Sequence, residues 1–335
     1  MTRYLERLAS SLRRLIGLGG VVVASALLAS CDPAADPAKD SAAARVGWQT
    51  AWATQAQLAL ILQNTDILKK RGVSARFVDF NYGAPLAEAA VARELDIAFV
   101  GDQPAIGLLS RSDDWEVAGR LMYFRVALIV SPQSKVRKVG DLARGVIGIP
   151  FGASTHRVAI EELNRAGLKP SDYQLRNLDI LEESEFIRSR AGKDWAPYAA
   201  FASWDHHIAQ LEKSGHARVL SSSNAIGVIV VRKAFRAEHP ELVNSFLEGF
   251  RDAYGFYRGN GQQANQWFIA KVGGSFDQQL LNTVASVEPN LSGTGAISIA
   301  LSPADLATMQ SAADFALAQG LIRRKVVVKD RLMKP

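Results

Sequence analysis

The residues best placed to do chemistry form a short segment, Gly152 to His156, between an apolar run and a helical pattern. Gly152 permits close approach of a backbone, and Ser154 or Thr155 can cap the helix. The first N–H groups of a helix lack partners and carry partial positive charge, so they suit an oxyanion. No lysine follows as in a P-loop, so a nucleoside triphosphate is not indicated. Together with Ala153, the segment predicts a small anion-binding site.

Four other junctions between a predicted strand and a predicted helix carry polar or aromatic residues. Aromatic rings at such junctions can wall a cleft. Asp102 is either a helix cap or a ligand contact, and Asp205 either accepts a hydrogen bond from a ligand amine or caps the next helix. The candidate binding residues at these junctions are Trp48, Gln49, Tyr82, Gly83, Asp102, Gln103, Trp204 and Asp205.

Catalytic arrangements are poorly supported. Ser154 has no Gly-x-Ser-x-Gly elbow, and Ser154 and His156, two apart on a helix, point away from each other, so a triad with Asp205 is not predicted. His206 and His207 are adjacent, about 100° apart around a helix, and no Cys or His–Glu spacing joins them. The sequence therefore predicts a protein that is not an enzyme, with no catalytic residue, metal or cofactor.

The elements that position these junctions alternate between strand and helix patterns from Arg45 onward. This alternation predicts an α/β fold with a mostly parallel sheet. WEVAGRLMYF and VALIVS are predicted as two strands, and so are ARVLSS and AIGVIVVR. TQAQLALILQNTDILKKRG is predicted as one helix. HPELVNSFLEGFRDAYGFYR and QANQWFIAKVG are predicted as two.

The pattern restarts after Ser131-Pro132 and becomes almost wholly helical beyond residue 232. The simplest interpretation is a bilobal protein in which a second lobe (131–222) is inserted into a first lobe (45–130, returning at 223–335 with a helical C-terminal tail). Two crossovers, near 126–131 and 225–232, would form the hinge. Open α/β sheets bind ligands beyond the carboxyl ends of their strands, so facing lobes would gather the junctions around one cleft.

The first thirty residues predict an export signal. Four arginines precede an uncharged run, Leu15 to Ala29, which is shorter than the roughly 20 residues that span a bilayer. Leu28-Ala29-Ser30-Cys31 looks like a bacterial lipobox, and Cys31 is the chain's only cysteine. Asp32 resembles an inner-membrane retention signal, and residues 31–44 predict a flexible tether. We therefore expect a lipid anchor at Cys31, on the periplasmic face of the inner membrane, or at the cell surface of a Gram-positive host.

Charge excludes one class of partner. The formal net charge is +6, and the predicted signal carries four arginines and one glutamate, which leaves +3. No basic block with interleaved aromatic residues occurs, so nucleic acid is not a predicted partner. A mild positive excess suits small anions.

Several motifs together resemble the periplasmic binding components of ABC transporters for nitrate, taurine and aliphatic sulfonates. They are GWQTAW, FNYGAPLAEAAVARELDIAFVGDQPA, VGDLARGVIGIPFGASTHRVAIEELNRAGL and the Trp204-Asp205 pair, within residues 45–250. The resemblance implies a bilobal type II periplasmic-binding-protein fold that closes on ligand at these junctions. It also implies a monomer with an ABC permease and its ATPase as partners and membrane contact through the lipid anchor only.

Departures from the family pattern leave the ligand open. They are Trp48 for Tyr, Gln103 for Thr or Ser, Ala153 for the first Ser of its motif and His206 for Pro. The leading hypothesis is a solute-binding lipoprotein that captures a small organic anion, with sulfonates ranked first, and delivers it to a permease. Sulfate esters, nitrate, carboxylates and pyrimidines stay open. The alternatives are a sensory or partner-binding lipoprotein of the same fold, or a relative that binds or makes a thiamine-precursor pyrimidine.

Overall fold

The structure, a computed structural model, describes residues 43–273 and 276–334. The predicted export signal, the lipidation site at Cys31 and nearly all of the predicted tether lie outside these residues. The strands are β1 (Ala44–Gln49), β2 (Ala75–Phe80), β3 (Ile97–Gly101), β4 (Trp115–Val130), β5 (Val146–Ile149), β6 (Gln174–Asn177), β7 (Tyr198–Trp204) and β8 (Arg218–Arg232).

Helices join and cover these strands. They are α1 (Ala53–Asn64), α2 (Ile67–Lys70), α3 (Gly83–Val91), α4 (Asp102–Arg111), α5 (Ser154–Arg165), α6 (Ile180–Ser189), α7 (His207–Lys213), α8 (Lys233–Glu238), α9 (Pro240–Val272), α10 (Gln278–Ala285), α11 (Pro289–Ser292) and α12 (Pro303–Ala318). The predicted α/β class is confirmed. Within the described residues, no helix is both long and apolar enough to cross a membrane.

All eight strands form one sheet in the order β2-β1-β3-β8-β4-β7-β5-β6. In its first half β1 pairs in parallel with β2 and β3, and in its second half β5 pairs in parallel with β6 and β7. The long strands β4 and β8 lie antiparallel between the halves. β8 pairs with β3 through residues 227–231, and β4 pairs with β7 through residues 126–129. The two long strands therefore belong to both halves.

The prediction of two strands in each long segment was wrong. β4 runs unbroken through Arg125, and β8 runs unbroken through the polar stretch 221–224. These polar residues suggested a connection, but they pair with each other: Arg125 lies opposite Asn224, and 126–128 lie opposite 221–223. Their backbone groups are hydrogen-bonded in the β4–β8 ladder, so polar side chains are tolerated in this partly exposed middle part of the sheet.

One helix prediction also needs correction. The single helix predicted over residues 54–72 is broken between α1 and α2, where Thr65 is extended. Thr65 Oγ1 donates to the Ile61 carbonyl at 2.7 Å, and Asn64 Nδ2 donates to Leu60 at 2.9 Å. Such local bonds compete with helix continuation. The two helices predicted after residue 239 are confirmed: within the segment named α9, two helices meet at a kink at Asn260, whose backbone is not helical (φ −138°, ψ 32°).

The core lies on both faces of the sheet in both halves. Apolar residues of α1 and α9 cover one face of the first half, and those of α3, α4 and α12 cover the other. In the second half, α5 covers one face, and α6 and α7 cover the other. The first of these clusters also includes Ala153, Val158 and Trp204 from the second half. The two halves are thus packed together at the carboxyl ends of their strands.

Candidate functional site

The carboxyl ends of β1, β3 and β7, with the loops after β2 and β5, surround one narrow cleft with about 20 Å³ of free space. This is the edge at which open α/β sheets bind ligands. Its lining residues are Gln49, Trp52, Gly83, Gly101, Pro104, Phe124, Ala153, Ser154, Thr155 and Trp204. Six of them belong to the predicted site: Gln49, Gly83, Ala153, Ser154, Thr155 and Trp204. The other predicted residues, Trp48, Tyr82, Asp102, Gln103, Gly152, His156 and Asp205, are not in this lining.

The N-terminus of α5 opens into the cleft without a cap. Ala153, the residue before α5, is extended (φ −79°, ψ 164°), and no side chain accepts a bond from the first turn. Among the described residues, the backbone N–H groups of Ser154 and Thr155 have no acceptor. The Thr155 hydroxyl is buried and also without a partner. The expected capping by Ser154 or Thr155 is therefore wrong, and several donors face the cleft unused.

Gly101 brings the two sides of the cleft into contact. A Cβ at this position would overlap the Ser154 hydroxyl and would lie 3.5 Å from Phe124. Only a glycine lets the backbone at the end of β3 approach the N-terminus of α5 this closely. Gly83 is similar, because a Cβ there would lie 2.6 Å from the Pro104 ring.

One carbonyl of the first half is bound by two side chains of the second. Trp204 Nε1 donates to the Ala51 oxygen at 2.7 Å, and His207 Nε2 lies 3.2 Å from the same oxygen. Because a carbonyl can only accept, His207 Nε2 must carry a proton. Burial lowers the pKa of His207 to about 4, so the ring is neutral and its Nδ1 accepts from the Ser184 hydroxyl at 3.0 Å. Trp204 thus walls the cleft and also fastens its two sides.

Of the two roles predicted for Asp102, a helix cap or a ligand contact, the structure leaves the carboxylate unavailable for the second. Its Oδ2 accepts from Arg157 at 2.5 Å, and its Oδ1 accepts from the Gln103 N–H at 2.7 Å. The Asp102 side chain is 0% exposed and that of Arg157 6%. Burial lowers the pKa of Arg157, but the carboxylates of Asp102 and Glu161 raise it by a larger amount. The pKa therefore lies above its usual value, and the guanidinium stays charged. This buried ion pair joins α4 of the first half to α5 of the second.

Asp205 is likewise committed to an arginine. Arg125 Nε and Nη2 donate to its two oxygens at 2.8 and 2.9 Å, and the Ala209 N–H adds a bond at 3.2 Å that caps the start of α7. Asp205 borders a different cavity, together with Lys213 and Asp277. Of its two predicted roles, the structure supports the cap and places no carboxylate oxygen at the cleft.

The remaining predicted residues lie around the cleft without entering its lining. Trp48 is buried in the core with Lys271 Nζ 5.6 Å from its ring centroid. Gln103 and Gly152 border a separate cavity that also contains Arg323 and Arg324. Tyr82 is half-buried, and its pKa is raised by burial and by the carboxylates of Asp179 and Glu182 on the second half.

His156 contributes no charge to the cleft. Its ring stacks on Phe151 with centroids 4.6 Å apart, and its Nδ1 accepts from the Gly152 N–H at 3.3 Å. Burial lowers the pKa of His156 to about 4, so the ring is neutral near pH 7. No group of three or more His, Cys, Asp or Glu within residues 43–273 and 276–334 is arranged to hold a metal ion.

Sequence reasoning missed Trp52, Gly101, Pro104 and Phe124 as lining residues. Trp52 and Phe124 pack with ring centroids 4.2 Å apart, and the Trp52 indole N–H is buried without a partner. Trp52 stands in the GWQTAW segment just before α1, so its position was a usable signal. Phe124 lies in the middle of β4 and carried no signal, because only the β4–β8 crossing brings it to the strand ends.

No family model matches the chain. The taurine-binding periplasmic protein of Escherichia coli (strain K12) is 28% identical over 225 residues, 63% of this chain and 66% of that protein, so the match spans just under two thirds of the relative. A Bacillus subtilis (strain 168) protein named for aliphatic sulfonate binding is 26% identical over 270 residues, 79% of this chain and 78% of that protein. The resemblance predicted from the motifs is confirmed by these relatives.

Solved structures with the same fold include the alkanesulfonate-binding protein SsuA from Xanthomonas axonopodis pv. citri. It has a TM-score of 0.73 at 20% identity, covering 88% of this chain and 99% of that one. A Candida albicans gene product described as having the generic periplasmic binding protein fold has a TM-score of 0.64. The predicted periplasmic-binding-protein fold is confirmed. A more distant neighbour, the desulfurization enzyme DszB, has a TM-score of 0.62 at 15% identity.

Proposed function

We propose that the chain is the solute-binding component of an ABC importer and that it captures a small sulfonate-type anion in the cleft. The observation that carries this proposal is the open N-terminus of α5, where the N–H groups of Ser154 and Thr155 face the cleft without acceptors. Helix N-termini of this kind bind oxyanions through backbone N–H groups and the helix dipole. The names of the relatives, which refer to taurine and aliphatic sulfonates, support the same ligand class.

We further propose that the two halves are lobes and that the protein opens at β4 and β8. Residues 131–222 would move as one lobe against 45–130 and 223–335. β3 pairs with residues 227–231 of β8, and β7 pairs with residues 126–129 of β4. Between these segments, residues 123–125 of β4 and 224–226 of β8 pair only with each other. Ligand would then favour the closed arrangement by adding contacts present only in that state. The permease and its ATPase would receive the ligand from the closed form.

The proposed function includes the predicted lipid anchor at Cys31 and no catalytic activity. A lipid at Cys31, outside the described residues, would hold a monomer at the periplasmic face of the inner membrane. A hydrolase would need Ser154, His156 and Asp205 to act together. His156 Nδ1 instead accepts from the Gly152 N–H, and Asp205 is held by Arg125. This geometry supports binding without chemistry, as in the relatives that are named as binding proteins.

A thermal-shift screen of the purified full chain tests the function. The ligands are alkyl sulfonates, sulfate esters, nitrate, carboxylates and pyrimidines, with a methanesulfonamide series as uncharged, shape-matched controls. A ligand at a hundred times its dissociation constant stabilises the folded state by about 2.7 kcal/mol. We expect an upward shift with sulfonates and none with sulfonamides. Equal shifts for both would contradict an anion site, and a shift only with pyrimidines would contradict the ligand class.

A further inference from the structure

The cleft has donors for an anion but no counter-ion for a cation. Among the side chains that line it in the described chain, none is charged. Its donors are the N–H groups of Ser154 and Thr155, the Thr155 hydroxyl and the Trp52 indole N–H, all without partners. The rest of the lining is largely apolar, with the rings of Trp52 and Phe124 packed together. A ligand that satisfies this surface has one anionic end with several acceptors and one apolar end.

The carboxylates near the cleft cannot neutralise a ligand ammonium. Asp102 is paired with Arg157 and Asp205 with Arg125, in each case with both carboxylate oxygens already accepting hydrogen bonds. Glu183 is a third buried carboxyl, beside Ser203. Complete burial raises the pKa of Glu183 well above its usual value, and Glu183 is not among the residues that line the cleft.

An ammonium in such a site would lose its hydration without gaining a charged partner. A buried charge is tolerated only when it is paired and hydrogen-bonded. The aromatic rings could attract a cation, but that attraction is weaker than the cost of removing an unpaired ammonium from water. The Trp204 indole N–H is already used by the Ala51 carbonyl, and donor groups repel a cation in any case. A methyl group in the same position would meet no such cost.

We propose that the cleft selects sulfonates with an uncharged, apolar tail and discriminates against zwitterionic aminosulfonates. This inference rests on the proposed function and narrows it. It separates this chain from the relative named for taurine, which is itself an aminosulfonate. The selectivity arises because Asp102 and Asp205 are paired with arginines, so that no acidic side chain lines the cleft to bind an ammonium group.

Isothermal titration of the full chain with two isosteric ligands tests the selectivity. Propane-1-sulfonate and 2-aminoethanesulfonate differ only by a methyl in place of an ammonium. We expect propane-1-sulfonate to bind at least about 100-fold more tightly. Equal or tighter binding of 2-aminoethanesulfonate overturns the selectivity and leaves the anion-binding function standing. If neither these nor longer alkyl or aryl sulfonates bind the folded protein, the proposed function fails as well.

Two further measurements attribute the selectivity to the ammonium charge. Between pH 7 and about 10, where ammonium groups begin to deprotonate, the affinity for 2-aminoethanesulfonate should rise while that for propane-1-sulfonate stays level. A parallel response of the two ligands overturns the charge argument. Glu183→Gln is nearly isosteric, so it should fold, and because Glu183 does not line the cleft the ratio of the two affinities should stay unchanged. A selective loss of 2-aminoethanesulfonate in this variant would identify Glu183 as a counter-ion and overturn the inference.

Discussion

Helices α4 and α5 begin in the same way but end up with opposite roles. Each follows a buried strand, and their preceding residues have nearly the same geometry: Gly101 at φ −70°, ψ 167° and Ala153 at φ −79°, ψ 164°. In α4, the Asp102 carboxylate takes the Gln103 N–H, and Pro104 has no N–H to offer. In α5, the first N–H groups stay free. The comparison shows that the side chains of the first turn decide whether a helix N-terminus is left open for an anion.

The two termini are also coupled. Arg157, one turn into α5, reaches across to Asp102 at the start of α4. The carboxylate that closes the N-terminus of α4 is thus the counter-ion of a cation on α5. This arrangement places an ion pair between the halves of the sheet, next to the proposed anion site, so that α4 and α5 hold the two halves together.

The largest expected effect comes from breaking this ion pair. Asp102→Asn should lower the free energy of unfolding by about 3 kcal/mol, because it leaves Arg157 buried with only Glu161 as a partner. Denaturant unfolding measures the change. Adding Arg157→Met should recover part of the loss, and Glu161→Gln, at the more exposed partner, should cost under about 1 kcal/mol. If Asp102→Asn left the free energy of unfolding unchanged, the ion pair would not hold the two halves together.

The backbone N–H of α5 can be removed selectively. Proline fits the first helical position, and the extended Ala153 suits a residue before proline. Ser154→Pro should therefore fold but weaken sulfonate binding by about 100-fold, in line with a lost hydrogen bond to a charged group. Ser154→Ala removes only the hydroxyl and should cost less than about fivefold. Equal losses in calorimetric titrations of the two variants would assign the effect to the hydroxyl.

A smaller effect is expected at the Thr155 hydroxyl, which is buried without a partner. Thr155→Val should weaken sulfonate binding by about tenfold without lowering the stability of the ligand-free protein. Thr155→Ser keeps the hydroxyl and should bind nearly as well as the unchanged chain. If Thr155→Val destabilises the ligand-free protein and leaves sulfonate binding intact, the Thr155 hydroxyl bonds within the protein and does not bind the ligand.

Much of this comparison could be predicted from the sequence, because it depends on local patterns. The strand ends and the short loop from Gly152 to α5 follow from residues close together in the chain, and they located Gln49, Gly83 and Ser154 at one cleft. The open first turn of α5 did not follow, because Ser154 or Thr155 was expected to cap it. The continuity of β4 could not be predicted, because the partner that satisfies its backbone at Arg125 is Asn224, about a hundred residues away.

The roles of Asp102 and Asp205 were beyond sequence reasoning for the same reason. Each carboxylate stands at a junction where it could cap a helix or meet a ligand. The groups that settle the matter are Arg157, 55 residues from Asp102, and Arg125, 80 residues from Asp205. Nothing local to either acid indicates that an arginine from another element will reach it.

The smallest expected effect concerns pH. Burial lowers the pKa of His156 to about 4, below the ordinary histidine value of about 6.5. Its ring should therefore stay neutral between pH 8 and 6, and sulfonate affinity should change by less than about twofold over that range. Because the folded pKa is depressed, this histidine's contribution to stability is present above about pH 6.5 and is lost as the pH falls toward 4. A marked gain in affinity toward pH 6 would instead identify a charged histidine at the anion site.

A crystal structure of the chain with propane-1-sulfonate tests the central claim most directly. The account predicts sulfonate oxygens about 2.7–3.2 Å from the backbone nitrogens of Ser154 and Thr155, with the propyl group against Trp52 and Phe124. The Asp102–Arg157 pair should remain intact beside the ligand. A sulfonate bound by a guanidinium, whether Arg157 released from Asp102 or Arg323 and Arg324 in the neighbouring cavity, would contradict it.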